Sequence, residues 1–165
     1  MLRRLILVVC ALGLAGCLPE GGGDGASGAP EAGTGRVVRV VDGDTIHVEL
    51  TGRREKVRYI GVDTPETRKP GSPIECFGKR ASAHNARLVA GERVRLLRDA
   101  EPRDRYGRLL AYVYRVRDGL FVNAELVRGG YAQPLTIPPN VAHAAEFSAL
   151  AREAREAGRG LWAAC

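Results

Sequence analysis

Two acidic motifs and two arginine positions stand where a plain strand-and-turn pattern would not need them. Asp42-Gly43-Asp44 sets two carboxylates around a glycine, and Asp63-Thr64-Pro65-Glu66 sets two more around Thr-Pro. Arg58 interrupts an apolar stretch ahead of Asp63, and Arg105-Tyr106-Gly107-Arg108 brings two guanidiniums to one turn. Each has a bland explanation. Asp-Gly-Asp is common turn chemistry. Asp63 or Thr64 suits a helix cap, with Glu66 in the first turn. Arg58 suits the open face of an edge strand, and Arg-Tyr-Gly-Arg suits a basic turn. Together they suit phosphoryl chemistry. A phosphodiester is anionic and repels nucleophiles. Its hydrolysis needs a cation to neutralise charge, a base to position or deprotonate water, and donors for the transition-state oxygens. Asp44, Asp63 and one backbone carbonyl offer a hard oxygen site for Ca²⁺ or Mg²⁺. Water and substrate would complete the shell, and affinity would fall in the ~10⁻⁴–10⁻³ M class. Arginines can clamp phosphate oxygens bidentately, which lysines do less well.

These residues need elements that bring them together. Arg36 to Val41 is β-branched and strand-like. Ile46, Val48 and Leu50 alternate with Thr45, His47 and Glu49, a period-2 strand with one buried face. A further strand is expected over Lys56–Val62, followed by a loop marked by Thr64-Pro65 and Lys69-Pro70-Gly71. Phe77, Ala81, His84 and Leu88 have helical spacing, ended by Gly91. Arg93–Arg98 and Leu109–Val116 read as strands. Asn123 is expected to cap a short helix through Arg128, closed by Gly129-Gly130. Ala144–Ala157 places Phe147, Leu150, Ala151 and Ala154 on one face of a last amphipathic helix. Short strands with few long helices predict an α+β arrangement, a small barrel with helices packed outside it.

The chain has 165 residues, the length of one domain plus extras. Charged residues at 27% and apolar residues at 45% exclude a disordered or fibrous protein. The net charge of +6 fits a polyanionic partner without requiring one. The first 16 residues read as a signal peptide, with Arg3 and Arg4 ahead of an apolar run from Leu5 to Leu14. That run is too short to span a bilayer as a mature helix. Leu14-Ala15-Gly16-Cys17 resembles the bacterial lipobox, so Cys17 is the expected lipidation site. Residues 17–35 then form a lipidated, glycine-rich tether with a span of roughly 20–25 Å, and 36–165 the folded domain. The expected location is exported and lipid-anchored to the envelope. Leu18 lacks the aspartate of inner-membrane retention, which favours the outer membrane if there are two. Cys76 and Cys165 remain in a disulfide-permissive compartment. They are either bonded to each other, closing a loop worth roughly 4 kcal/mol, or two unrelated thiols.

The segments VVDGDTIHV, VRYIGVDTPET, CFGKRASA, RDRYGRLLAYVY and NAELVRGGYA, and a final helix ending GLW, resemble the staphylococcal nuclease (thermonuclease) family. The resemblance covers about residues 36–162 in the family's order. It implies an OB-fold five-stranded β-barrel with three packed α-helices. It also implies roles: Asp44 and Asp63 as calcium carboxylates, Thr64 as the backbone-carbonyl ligand, and Glu66 as general base. Arg58 and Arg108 match the guanidiniums on the phosphate, and Tyr106 a phosphate-bonding tyrosine. Lys69, Lys79 and Arg80 extend a phosphate track or belong to a solvated face. Where better-known members carry two tyrosines and a lysine before Pro-Asn, this chain has Leu135-Thr136-Ile137-Pro138 before Pro139-Asn140. That change bears on nucleotide affinity and base preference rather than on hydrolysis. Tyr131 as a partial replacement is not favoured.

The expected function is a Ca²⁺-dependent, thermonuclease-type endonuclease. It would cleave DNA and RNA to 3′-phosphate products as a monomer, with no protein partner and with the membrane reached through the lipid. The alternative is a non-catalytic nucleic-acid-binding module on the same fold. His47, His84 and His143 form no constellation and are expected to be structural or exposed.

Overall fold

The computed structural model describes residues 31–67, 71 and 73–165. The expected signal peptide, Cys17, most of the expected tether and Lys69 lie outside the described residues. Strands β1 (Glu31–Val40), β2 (Thr45–Leu50), β3 (Arg53–Tyr59), β5 (Arg93–Leu97) and β6 (Leu109–Arg115) close into a barrel in the order β1-β2-β3-β6-β5. Two short strands, β4 (Val62–Asp63) and β7 (Gln133–Pro134), pair outside it. Helices α1 (Gly78–Val89), α2 (Val122–Arg128) and α3 (Ala144–Glu156) are joined by a single-turn α4 (Leu161–Ala164). This is the expected α+β barrel, with one short helix more. Among the described residues no helix is long and apolar enough to cross a membrane.

The alternation in β2 holds in part: Ile46, Val48 and Leu50 are buried and Glu49 faces out, but Thr45 is buried too and His47 is half-buried. Ile46, Val48 and Leu50 meet Val37, Val57, Tyr59, Val94, Leu96 and Val113 in the barrel core. Phe147 of α3 and Leu126 of α2 extend that core outside the sheet. The strand expected over Lys56–Val62 breaks instead at Ile60-Gly61, where Gly61 has φ 77°. Its two pieces serve different neighbours. β3 pairs parallel with β6, while β4 pairs antiparallel with β7.

Two other expectations are corrected. The strand begins at Glu31 rather than Arg36, so residues 31–35 are not tether. Glu31, Gly33, Thr34 and Gly35 pair with Leu97, Leu96, Arg95 and Val94 of β5, which closes the barrel. A side chain at Gly35 would run into the backbone of Glu49 and within 2.6 Å of Val48 Cγ1. The glycine that looked like linker composition is required by strand packing. Asn123 is not a helix cap. Phe121 holds the cap position without a side-chain bond. Asn123 is fully buried, accepts from the Val113 N–H at 2.9 Å and donates to the Ile60 carbonyl at 2.9 Å. It replaces ladder bonds that the strand break would leave open.

Asn85 of α1 does similar work beside the acidic motifs. It accepts from the Tyr59 hydroxyl at 3.0 Å and donates to the Asp42 carbonyl at 3.0 Å. The helix thereby holds the Asp42-Gly43-Asp44 turn against β3.

A chain beginning at Arg36 should melt about 5 °C or more below one beginning at Glu31, since it loses most of the β1–β5 pairing. Equal melting temperatures by circular dichroism would show that residues 31–35 do not contribute to closure.

Candidate active site

Asp44 lies in the turn between β1 and β2 and is buried to 5% exposure. Its Oδ2 accepts from the Thr64 N–H and the Thr64 hydroxyl, both at 2.9 Å. Its Oδ1 accepts from the Thr45 hydroxyl at 3.0 Å. Gly43 makes this approach possible, because a Cβ there would stand 2.5–2.7 Å from Thr64 Oγ1, Cβ and Cγ2. The glycine between the aspartates is set by contact with the second acidic motif.

Arg58 sits between the motifs, its side chain 13% exposed. Nη1 lies 3.3 Å from Asp44 Oδ2 and donates to the carbonyls of Tyr59 (3.0 Å) and Val62 (2.7 Å). Nη2 donates to Asp63 Oδ1 at 2.8 Å. Arg58 therefore binds the two carboxylates to each other and fixes the break between β3 and β4.

A cavity of ≈ 80 Å³ opens here, lined by Asp42, Asp44, Thr45, Arg58, Asp63, Thr64, Pro65, Glu66 and Arg108. The structure thus brings Asp44, Arg58, Asp63, Thr64, Glu66 and Arg108 to one place. Its four carboxylates face two guanidiniums, so the charge excess is negative. Burial, and then the charge of Asp44, pushes the Asp42 carboxyl up to about 6. Burial also raises Asp63, against the lowering effect of Arg58. Such a cavity suits a hard cation by donor type and by charge. Among the described residues no three His, Cys, Asp or Glu side chains form a self-sufficient metal centre. Any cation held here would take part of its shell from backbone, water or substrate.

Arg108 is aimed by Asp104. Arg108 Nε donates to Asp104 Oδ2 at 2.6 Å, and Asp104 Oδ1 accepts the N–H groups of Tyr106 (2.9 Å) and Arg108 (3.0 Å). Burial pushes the Asp104 carboxyl up, but these bonds outweigh it and hold the carboxyl below its ordinary value. Tyr106 is 68% exposed, accepts from Arg105 Nη2 at 2.7 Å, and lies under the guanidiniums of Arg105 and Arg108. It borders a larger cleft of ≈ 490 Å³ that shares Arg58 and Arg108 with the acidic cavity. Leu135, Ile137 and Asn140 of the late loop line the same cleft. Asn140 ties that loop across to Glu101 with two bonds, 2.7 and 2.9 Å.

Lys79 does not join this group. It lies on the exposed face of α1 and lines shallow depressions beside the Cys76–Cys165 disulfide. Arg80 lies there with it. Tyr131 is stacked on His84 at 3.8 Å and does not line the cleft. No histidine lines the acidic cavity. The sequence reading did not assign roles to Asp42, Asp104 and Asn85. Asp104 had a usable signal, since an aspartate two residues before Tyr106 suits a side-chain turn. Asn85 had none, because a buried asparagine breaks the apolar pattern without showing its partner.

A five-stranded barrel bearing an oxygen-rich, arginine-flanked cavity defines a class of proteins suited to hold a hard cation beside an anionic group. The family model described as "Staphylococcal nuclease homologue" matches residues 56–164. A thermonuclease of Staphylococcus intermedius is 43% identical over 126 residues, covering 76% of this chain and 74% of that protein. A thermonuclease of Staphylococcus hyicus is 38% identical over 138 residues, covering 84% and 80%. Endonuclease YncB of Bacillus subtilis (strain 168) is 40% identical over 126 residues, covering 75% of this chain and 59% of that protein. The chain belongs to the staphylococcal nuclease family.

Asp104 has a depressed pKa, so its ionised form stabilises the fold above the ordinary value of 3.8. That stability is lost as pH falls through the folded-state value. Asp104→Asn should therefore be less stable than wild type at pH 7, with the gap closing as pH drops below 3.8. A gap independent of pH, by urea titration, would show that the charge on Asp104 is not what holds Arg108.

Proposed function

We propose that this protein is a Ca²⁺-dependent nuclease of the thermonuclease type that hydrolyses DNA and RNA to 3′-phosphate products. One observation carries the reading: two acidic motifs and two arginines distant in sequence converge on a single polar cavity. Relatives named thermonuclease and endonuclease support it.

Asp44, Asp63 and the Thr64 carbonyl would hold Ca²⁺, which when bound neutralises phosphate charge. Glu66 takes a proton from the attacking water. Arg108, aimed by Asp104, donates to the phosphate oxygens as negative charge builds on them. Arg58 bridges the ligating carboxylates, holds them in fixed geometry and offers the second guanidinium. Tyr106 and Lys69 are assigned to the polyanion outside the reacting phosphate. The enzyme acts as a monomer.

With millimolar Ca²⁺ the protein should cleave DNA, and a calcium chelator should abolish cleavage. Glu66→Gln should lose at least ~10²-fold in kcat, and Arg108→Ala ~10³-fold or more. A loss below about tenfold in either variant would reject that residue's role. A folded protein that binds DNA without cutting it would be a nucleic-acid-binding module instead.

We further propose that the protein is exported and anchored by lipid on Cys17. The motif around Cys17 supports this, and the Cys76–Cys165 disulfide suits an oxidising compartment. Mass spectrometry of the mature N-terminus should find a diacylglyceryl cysteine at position 17, and Cys17→Ser should release the protein from membranes. An unmodified Cys17 would rule the anchor out.

A further inference from the structure

The segment entering α1 grips the Glu66 backbone at both of its polar groups. The Glu66 N–H donates to Glu75 Oε2 at 2.9 Å, and the Glu75 N–H donates to the Glu66 carbonyl at 3.0 Å. Glu75 is held in turn from the other side. Its carbonyl accepts the Gly78 N–H at 3.0 Å, which fixes it to the start of α1. Its neighbour Cys76 is bonded to Cys165, 89 residues away. Cys165 is tied back to the body of the protein. Its N–H donates to Leu161 at 3.0 Å, and the Leu161 N–H donates to the Gly130 carbonyl at 2.8 Å. A continuous path of bonds therefore runs from the end of α2, through α4 and the disulfide, to Glu75 and Glu66.

An exposed carboxylate that accepts one N–H is a weak hold by itself, because water competes and the side chain must be ordered. Here the covalent crosslink beside it limits the freedom of the segment that carries it. A base must stand within hydrogen-bond reach of its water, and a misplacement of about 1 Å can cost up to ~10²-fold.

We propose that Glu75 is a positioning residue for Glu66 and that the Cys76–Cys165 disulfide anchors it, so that carboxylate and crosslink act as one brace on the general base. The proposal rests on the reading of Glu66 given above, and its test separates the two. The full chain, Glu75→Ala, Glu75→Gln, Cys76→Ser/Cys165→Ser, the combination of Glu75→Ala with both serines, and Glu66→Gln are compared. The measurements are kcat and KM on single-stranded DNA in saturating Ca²⁺, and hydrogen exchange at the Glu66 amide.

Glu75→Ala should lower kcat by ~10–100-fold with KM changed less than about threefold. Its Glu66 amide should exchange faster. Glu75→Gln keeps a carbonyl oxygen to accept the Glu66 N–H but drops the charge near Asp63. It should recover kcat to within about threefold of wild type and restore slow exchange. The serine pair should lose about tenfold on its own and nothing further in the Glu75→Ala background, since both act through one contact.

Glu75→Ala with wild-type kcat, beside an inactive Glu66→Gln, overturns the brace and leaves the base assignment standing. A fully active Glu66→Gln overturns the base assignment and the brace with it. Gln no better than Ala shows that charge, not the hydrogen bond, matters, and overturns positioning. Additive losses in the combined variant remove the disulfide from the brace. Should the serine pair fail to fold, the Ala and Gln variants decide the role of Glu75, and mild reduction of the folded wild type, with Glu66 amide exchange as readout, decides the disulfide's.

Discussion

The buried carboxylate of Asp44 is the constraint on which the site depends. A buried charge is costly unless it is hydrogen-bonded and paired. Asp44 meets that demand by drawing in Thr64 through two bonds, Thr45 through a third and Arg58 through an ion pair. Those partners come from β2, β3 and the segment after β4. Satisfying one side chain therefore joins the two acidic motifs. The backbone adds a further tie, with the Tyr59 N–H donating to the Asp44 carbonyl at 2.9 Å. The barrel supplies the rest of the rigidity, since each strand that bears a site residue also contributes to the core.

The two arginines at the cavity are held in different ways, which suits different work. Arg58 is nearly enclosed and engaged by two carboxylates and two carbonyls. Its charge is fixed in place inside the acidic cluster. Arg108 has its Nε occupied by Asp104, while it faces both the acidic cavity and the larger cleft. A guanidinium pinned at Nε is pre-oriented at low entropic cost, and its planar fork matches an anionic oxygen pair. The late loop opposite brings Leu135 and Ile137, so the cleft wall on that side is aliphatic. Aliphatic side chains bury a base less favourably than stacked rings do.

Much of this was legible in the linear chain. The acidic motifs stood out as paired carboxylates and Arg58 as a charge interrupting an apolar stretch, while Arg108 was singled out in a basic turn and given its role by the family resemblance. The strands β2, β5 and β6 and helix α3 followed from their periodicities, and each ends within about two residues of its expected boundary. Other features could not be read. Residues 31–35 have the composition of a linker, and only the pairing with β5 makes them a strand. Asn123 sits where a cap belongs, and only the broken strand at Ile60 gives it buried partners. Lys79 is close in sequence to the acidic loop, yet α1 turns it toward the disulfide.

The sequence by itself determined the chemistry available: which residues carry charge, which can ligate a hard cation, and which segments alternate or repeat with helical period. Those are local properties, set by side-chain type and by the fixed geometry of strands and helices. Only the tertiary structure decided which of these residues meet. It joined Asp44 to Thr64, set Asp104 behind Arg108, and ran the disulfide up to the neighbour of Glu75. Such pairings depend on barrel closure and on buried groups finding partners across long stretches of chain, and periodicity contains no record of either.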